Sequence, residues 1–227
     1  MLTFSDVHAG YGAFTVLKEI SFSINEGECV AIFGHNGAGK TTLLKCSVGD
    51  IEGVRGSVSY RGEKIIPGAV FLNARRGIGF VPQGHNVFRN LTIRQNLAIS
   101  GLNHEGGALD EVFRLFPILQ QRGGQIAGSL SGGQQQILAL GMALMTKPSI
   151  LLLDEPATGL APIIIKDVMN SLAQINRTTG TTIVIVEQNL PATLQLVTRA
   201  IVLKAGRIVF DGSSKELERK EDLWAWF

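Results

Sequence analysis

The 227-residue sequence has no uninterrupted apolar run approaching the roughly 18 to 20 residues that cross a bilayer, so no membrane-spanning helix is expected. Its opening stretch, MLTFSDVHAGYG, lacks the charged and apolar regions of a signal peptide, and export is not expected. Charge of one sign is missing too. The 21 Lys and Arg are interspersed with 19 Asp and Glu, which leaves no basic stripe or tail and argues against a nucleic-acid partner. The two cysteines, Cys29 and Cys46, lie inside apolar stretches without a CxxC or Cys/His pattern, so reduced core thiols are expected rather than a disulfide or a zinc site. No internal repeat and no long heptad run is present, which excludes an array or a coiled coil.

What is there is apolar material: 45% of the residues are hydrophobic, enough for one full core. The mean hydropathy of +0.21 is also compatible with an apolar docking surface for another chain. Short β-branched runs recur as ECVAIFG from 28, GIGFVP from 77, SILLLDEP from 149, TTIVIVEQ from 181 and AIVLKAGRIVF from 200. Near-continuous apolarity of this kind marks parallel strands buried on both faces. With helical segments at 40–49, 161–177 and 190–197 between them, the class is α/β. The last run, broken at Ala205-Gly206, reads as an antiparallel hairpin. From 89 to 148 the apolar spacing turns helical, which suggests a helical subdomain inserted between core segments 1–88 and 149–227 of a single domain. Its last helix is expected from about Ser131 to a stop at Pro148.

Gly34, Gly39, Lys40 and Thr41 satisfy the pattern G-x-x-x-x-G-K-[ST] between a strand and a helix, the arrangement of a P-loop. Glycines let backbone N–H groups converge on a phosphate, the helix start adds partial positive charge, and Lys40 supplies a cation for the β and γ oxygens. Asn36, Gly37, Ala38, Gly39, Lys40, Thr41 and Thr42 are the candidate cradle, with Thr41 suited to Mg²⁺. ILLLDEP then puts Asp154 and Glu155 at the end of a buried strand, where a carboxylate is costly without a cation or donor. Asp154 fits a Mg²⁺ ligand and Glu155 the general base that activates water.

LSGGQ, at 130–134, places Ser131 as an N-cap with Gly132, Gly133 and Gln134 at a second helix start able to meet an anion. With this motif between the P-loop and the Asp-Glu strand, the chain resembles the ATP-binding cassette (ABC) ATPases over essentially its whole length. The resemblance implies a mixed-sheet, RecA-like P-loop NTPase core carrying antiparallel β elements and a helical signature subdomain. It implies ATP and Mg²⁺ as ligands, and two cassettes packed head to tail, each ATP lying between one chain's P-loop and the other's signature. Tyr11 then resembles the aromatic that stacks on adenine, and Gln83 the Q-loop residue that reaches Mg²⁺ and water.

Three positions depart from the general family pattern: Ala161 stands where an aspartate is usual, Gln188 replaces the switch histidine, and Met142 replaces an arginine of the signature helix. An amide donates a neutral hydrogen bond but cannot become cationic, which bears on the rate of hydrolysis. DEPATGLAPIII with VEQN resembles one of the two ATPases of branched-chain amino-acid importers and of related neutral amino-acid, amide and urea importers. That resemblance implies a peripheral subunit at the cytoplasmic face of the inner membrane. Its partners would be a sister ATPase (a heterodimer, with a homodimer as the alternative), membrane permeases and, indirectly, a periplasmic solute-binding protein. Residues 84–101, with Val87 and Phe88, are the expected docking surface. Competing classes are a soluble ABC ATPase without a transporter and a small-molecule P-loop kinase, the second of which leaves LSGGQ unexplained.

Overall fold

The computed structural model describes residues 1–84, 86–102, 108–188 and 190–219. The chain opens with β1 (Leu2–Tyr11), β2 (Phe14–Ile24) and β3 (Cys29–Phe33), followed by α1 (Lys40–Val48), β4 (Arg55–Tyr60), β5 (Glu63–Lys64), α2 (Val70–Arg75) and β6 (Ile78–Val81). Helices follow: α3 (Ile93–Gly101), α4 (Ala108–Leu115), α5 (Pro117–Gln121) and α6 (Gly132–Leu144). Alternation then resumes with β7 (Ile150–Asp154), α7 (Pro162–Thr179), β8 (Thr182–Glu187), α8 (Leu190–Leu194), β9 (Arg199–Lys204), β10 (Arg207–Ser213) and α9 (Ser214–Glu218).

The larger sheet runs β10-β9-β3-β8-β7-β6, parallel from β9 to β6, with β10 antiparallel at its edge. Every residue of β3, β7 and β8 is buried, because both sheet faces are covered. Period-two geometry divides their side chains between two cores. Val30, Ile32, Leu152 and Val184 join Leu43 of α1 and Phe4, Leu17 and Ile20 of the smaller sheet. Ala31, Phe33, Leu151 and Ile183 join Leu138 of α6 and Val168 and Leu172 of α7. Leu152 has no exposed surface, and truncating such a side chain to alanine costs about 2–5 kcal/mol.

The smaller sheet, β2-β1-β4-β5, is antiparallel. Along β1 the buried residues Leu2, Phe4, Val7 and Ala9 are separated by exposed or half-buried ones, the pattern of a sheet with one wet face. These strands were not among the continuous apolar runs, since half-buried strands carry polar residues at alternate positions. Two helix ends also differ from expectation. α6 stops at Leu144, not Pro148: the proline bars its predecessor from the right-handed helical region, and Lys147 takes φ 47°. α8 covers only Leu190–Leu194 of the expected 190–197.

Strands β3, β6, β7 and β8 run in the same direction, so the loops that leave their C-terminal ends gather along one edge of the sheet. The P-loop, Gln83, Asp154-Glu155 and Gln188 all lie on those loops or strand ends.

Candidate functional site

The P-loop leaves β3 at Gly34, where an added Cβ would lie 2.4 Å from the Leu203 carbonyl oxygen, so only glycine lets the backbone pass. At its other end Gly39 takes φ 107° and caps α1 without a side-chain hydrogen bond, which leaves first-turn N–H groups for an anion. Lys40 is buried in this loop. Its Nζ donates to the carbonyls of Gly34 at 2.8 Å and His35 at 3.3 Å, and lies 3.4 Å from Oε1 of Glu155.

The neighbouring carboxylates at the end of β7 have opposite surroundings. Asp154 is 2% exposed, and neither of its oxygens has a well-formed hydrogen bond, the Thr41 hydroxyl being close enough only to act on its charge. Burial pushes its pKa up; the Thr41 hydroxyl opposes this, Glu155 adds to it, and Lys40 and Lys45 pull it down. Two bare oxygens beside a threonine hydroxyl suit a hard, oxygen-seeking cation such as Mg²⁺, so the donor set fits that ion. Glu155, by contrast, is ringed by donors. Oε1 accepts from Gln188 Nε2 at 2.6 Å and faces Lys40; Oε2 accepts from Gln83 Nε2 at 2.8 Å and from Thr158 Oγ1 at 3.1 Å.

Gln188 spends its second N–H on Asn36 Oδ1 at 2.7 Å, which ties the P-loop tip to the end of β8. Lys40, Gln83, Glu155, Gln188 and Asn36 are thus brought into one polar cluster. Tyr11 and Ser131 form no hydrogen bond with it. Tyr11 is half exposed at the end of β1, with Lys45 Nζ 5.9 Å from its ring centre.

Ser131 caps α6: its Oγ accepts from Gln134 N while Gln134 Oε1 accepts from Ser131 N. This capping box uses a lone pair of the hydroxyl and leaves its hydrogen for an acceptor outside the chain. An added Cβ on Gly133 would meet Ile164 Cγ2 at 2.3 Å, so the second signature glycine also lets α6 seat against the first turn of α7.

Ala161 is the N-cap of α7 and makes no side-chain cap, so this departure removes an oxygen acceptor from a helix start. Met142 is half-buried and packs against the core. In the expected docking segment Phe88 is half exposed, Val87 packs against the core, and position 85 lies outside the described residues. More apolar surface is exposed on α2, at Phe71 and Leu72. Beside it lies a groove of about 320 Å³ bordered by Val70, Phe71, Ala74, Phe80 and Ala143.

Two residues of the site escaped the motifs. Thr158 bonds Glu155, and Glu187, 1% exposed, accepts from the backbone N–H groups of Ala157 (2.8 Å) and Gln188 (3.2 Å). Glu187 was legible in principle, as a charge ending an otherwise apolar strand.

Residues 17–158 match the ABC transporter family profile. The chain belongs to the ABC transporter ATPases. It is 43% identical to the high-affinity branched-chain amino acid transport ATP-binding protein BraG of Pseudomonas aeruginosa, over 96% of this chain and 94% of BraG. Identity is 33% to the probable branched-chain amino acid transport ATP-binding protein LivF of Archaeoglobus fulgidus, over 97% of this chain and 95% of that protein. Among solved structures, the ADP conformation of an ATP-binding cassette of an ABC transporter superposes with TM-score 0.87 at 25% identity, covering 99% of this chain and 97% of that one. A dimeric bacterial ABC transporter cassette gives TM-score 0.83 at 26% identity, covering 94% and 99%. The cassette fold and an ATP-hydrolysing activity follow for this chain. No helix among the described residues is long and apolar enough to cross a membrane.

Proposed function

We propose that this cassette is the ATP-hydrolysing subunit of an importer for branched-chain or other neutral amino acids, held at the cytoplasmic face of the membrane by permease subunits. The cassette core would be residues 1–88 and 149–227, with about 89–148 as the helical signature subdomain. The contrast between Asp154, bare and buried, and Glu155, ringed by donors, carries the catalytic part of this reading. The likeness to BraG supports the solute class.

In this mechanism Asn36, Gly37, Ala38, Gly39, Lys40, Thr41 and Thr42 grip the ATP phosphates through backbone donors and the Lys40 ammonium, while Tyr11 stacks on adenine. Thr41, Asp154 and Gln83 hold Mg²⁺, which when bound neutralises phosphate charge. Glu155 accepts the proton of the attacking water, and Gln188 offers its amide to the γ-phosphate as a neutral donor. Ser131, Gly132, Gly133 and Gln134 of this chain complete a companion cassette's site, so each site needs two chains. A sister ATPase is the favoured companion, giving a heterodimer. The exposed apolar residues of α2 and the exposed Phe88 support permease docking.

The test is reconstitution of this cassette with its sister, the permeases and the binding protein in proteoliposomes. Leucine- or valine-loaded binding protein is expected to stimulate ATP hydrolysis and uptake. Stimulation by urea or a short amide alone would shift the substrate class, and full-rate hydrolysis by strictly monomeric chain would overturn the composite site.

A further inference from the structure

The four donors around Glu155 do not have the same prospects. A carboxylate offers about four lone-pair positions; here Oε1 accepts from Gln188 and is ion-paired with Lys40 at 3.4 Å, and Oε2 accepts from Gln83 and Thr158. In this conformation Oε1 faces Gln188 and Lys40 where a water would have to sit. In the proposed function two of the four have other work with nucleotide bound, Lys40 and Gln188 on phosphate oxygens; Gln83 would meet Mg²⁺ through its amide oxygen, which leaves its N–H on Oε2. Thr158 has no other work.

Local geometry makes Thr158 a fixed companion of the carboxylate. Glu155 takes φ 47°, a left-handed backbone that a side-chain-bearing residue adopts at a cost, and its N–H bonds the Val186 carbonyl of β8 at 2.9 Å. The chain turns at once, with Thr158 N donating to the Glu155 carbonyl at 3.2 Å, and this turn folds the Thr158 hydroxyl back onto Oε2. Glu187 pins the same turn through the Ala157 N–H.

We propose that Thr158 is a positioning residue for ATP hydrolysis: it holds Oε2 of Glu155 so that, once Lys40 and Gln188 turn to nucleotide, Oε1 is presented to the attacking water. The inference rests on Glu155 being the base. It adds a residue outside the phosphate-binding motifs, and it makes the donor-ringed carboxylate of this structure the resting form of that base.

The experiment uses the assembled importer and measures phosphate release at saturating MgATP for Thr158→Val, Thr158→Ala and Thr158→Ser, each also in a Glu155→Gln background. A lost hydrogen bond to a charged group predicts that Val and Ala lower kcat roughly 10- to 100-fold, about 1.4–2.7 kcal/mol at 1.36 kcal/mol per decade, with KM for ATP within about two-fold of wild type. Ser, which keeps the hydroxyl, is expected to restore most of the rate, and the Val substitution is expected to cost nothing further once Glu155 is Gln. Wild-type kcat in Thr158→Val, failure of Ser to rescue, or the full loss recurring on top of Glu155→Gln would overturn the proposal. Wild-type turnover in Glu155→Gln alone would instead remove Glu155 as base, a failure of the underlying reading visible without any Thr158 variant.

Discussion

Asp154→Asn should stabilise the ligand-free cassette while abolishing its function. At 2% exposure and with no well-formed hydrogen bond to either oxygen, the Asp154 carboxylate has lost its hydration, and the pull of the Thr41 hydroxyl, Lys40 and Lys45 does not make up for it. A buried polar group left unsatisfied costs about 1–3 kcal/mol, and a charged one more; an amide of the same shape sheds the charged part. For a chain of this size each kcal/mol moves Tm by about 2–4 °C, so shedding the charged excess is expected to raise Tm by at least a few degrees in ligand-free, Mg²⁺-free protein at pH 7.5. Burial raises the Asp154 pKa. The stability linked to its protonated form is therefore complete below the ordinary carboxylate value of about 3.9 and is lost as pH rises through the raised value. Wild type and variant should accordingly converge as pH is lowered and separate towards neutrality. MgATP should reverse the order, because only wild type gains the stabilisation that follows from binding the native state. Thermal melts of both proteins at pH 7.5 and in mild acid, with and without MgATP, read all of this. A variant that melts at or below wild type without ligand, or a gain that persists undiminished in acid, would refute the reasoning.

Gly133→Ala places a methyl 2.3 Å from Ile164 Cγ2, so it should lower Tm by several degrees and slow turnover in the assembled importer while sparing ATP binding by the chain's own P-loop; an unchanged Tm would show that α7 yields easily. Burial pushes the Cys29 and Cys46 thiols up to about 12, so neither should react with a disulfide reagent at pH 8 until the chain is denatured, when both should titrate; fast labelling of native protein would contradict their burial. Gln188→His should raise kcat of the complex, since imidazole becomes cationic and the amide cannot; an unchanged or lower kcat would show that the carboxamide serves as well.

The parallel core was legible because strands covered on both faces carry uninterrupted apolar side chains, as in Cys29–Phe33 and Thr182–Glu187. The antiparallel sheet was less so: Ser5, Asp6 and Lys18 in its strands face water, and without a partner strand in view their alternation resembles loop sequence. The phosphate cradle and the Asp154-Glu155 pair were legible because each rests on a short contiguous pattern. Contacts that close only in three dimensions were not. Glu155 lies 72 residues from Gln83 and 33 from Gln188, and neither spacing encodes their hydrogen bonds. The end of α6 was misplaced for a local reason, since Pro148 acts through the residue before it.

Adjacent carboxylates acquire different chemistry here through one backbone angle. Asp154 is the last residue of β7, its conformation fixed by pairing with β8, and its buried side chain lies beside Thr41 without a well-formed hydrogen bond. Were the strand to continue, Glu155 would project to the opposite face of the sheet, into packed core. Instead its left-handed φ of 47° ends the strand and brings the carboxylate to the loops, among Lys40, Gln83, Thr158 and Gln188. One carboxylate is thereby left to a cation and the other to hydrogen-bond donors that can exchange with water. The strain at Glu155, of order 1–3 kcal/mol, is offset by the hydrogen bonds on its side chain and by its N–H to Val186, so a change that removes those bonds should disturb where this proposed base points before it disturbs the fold.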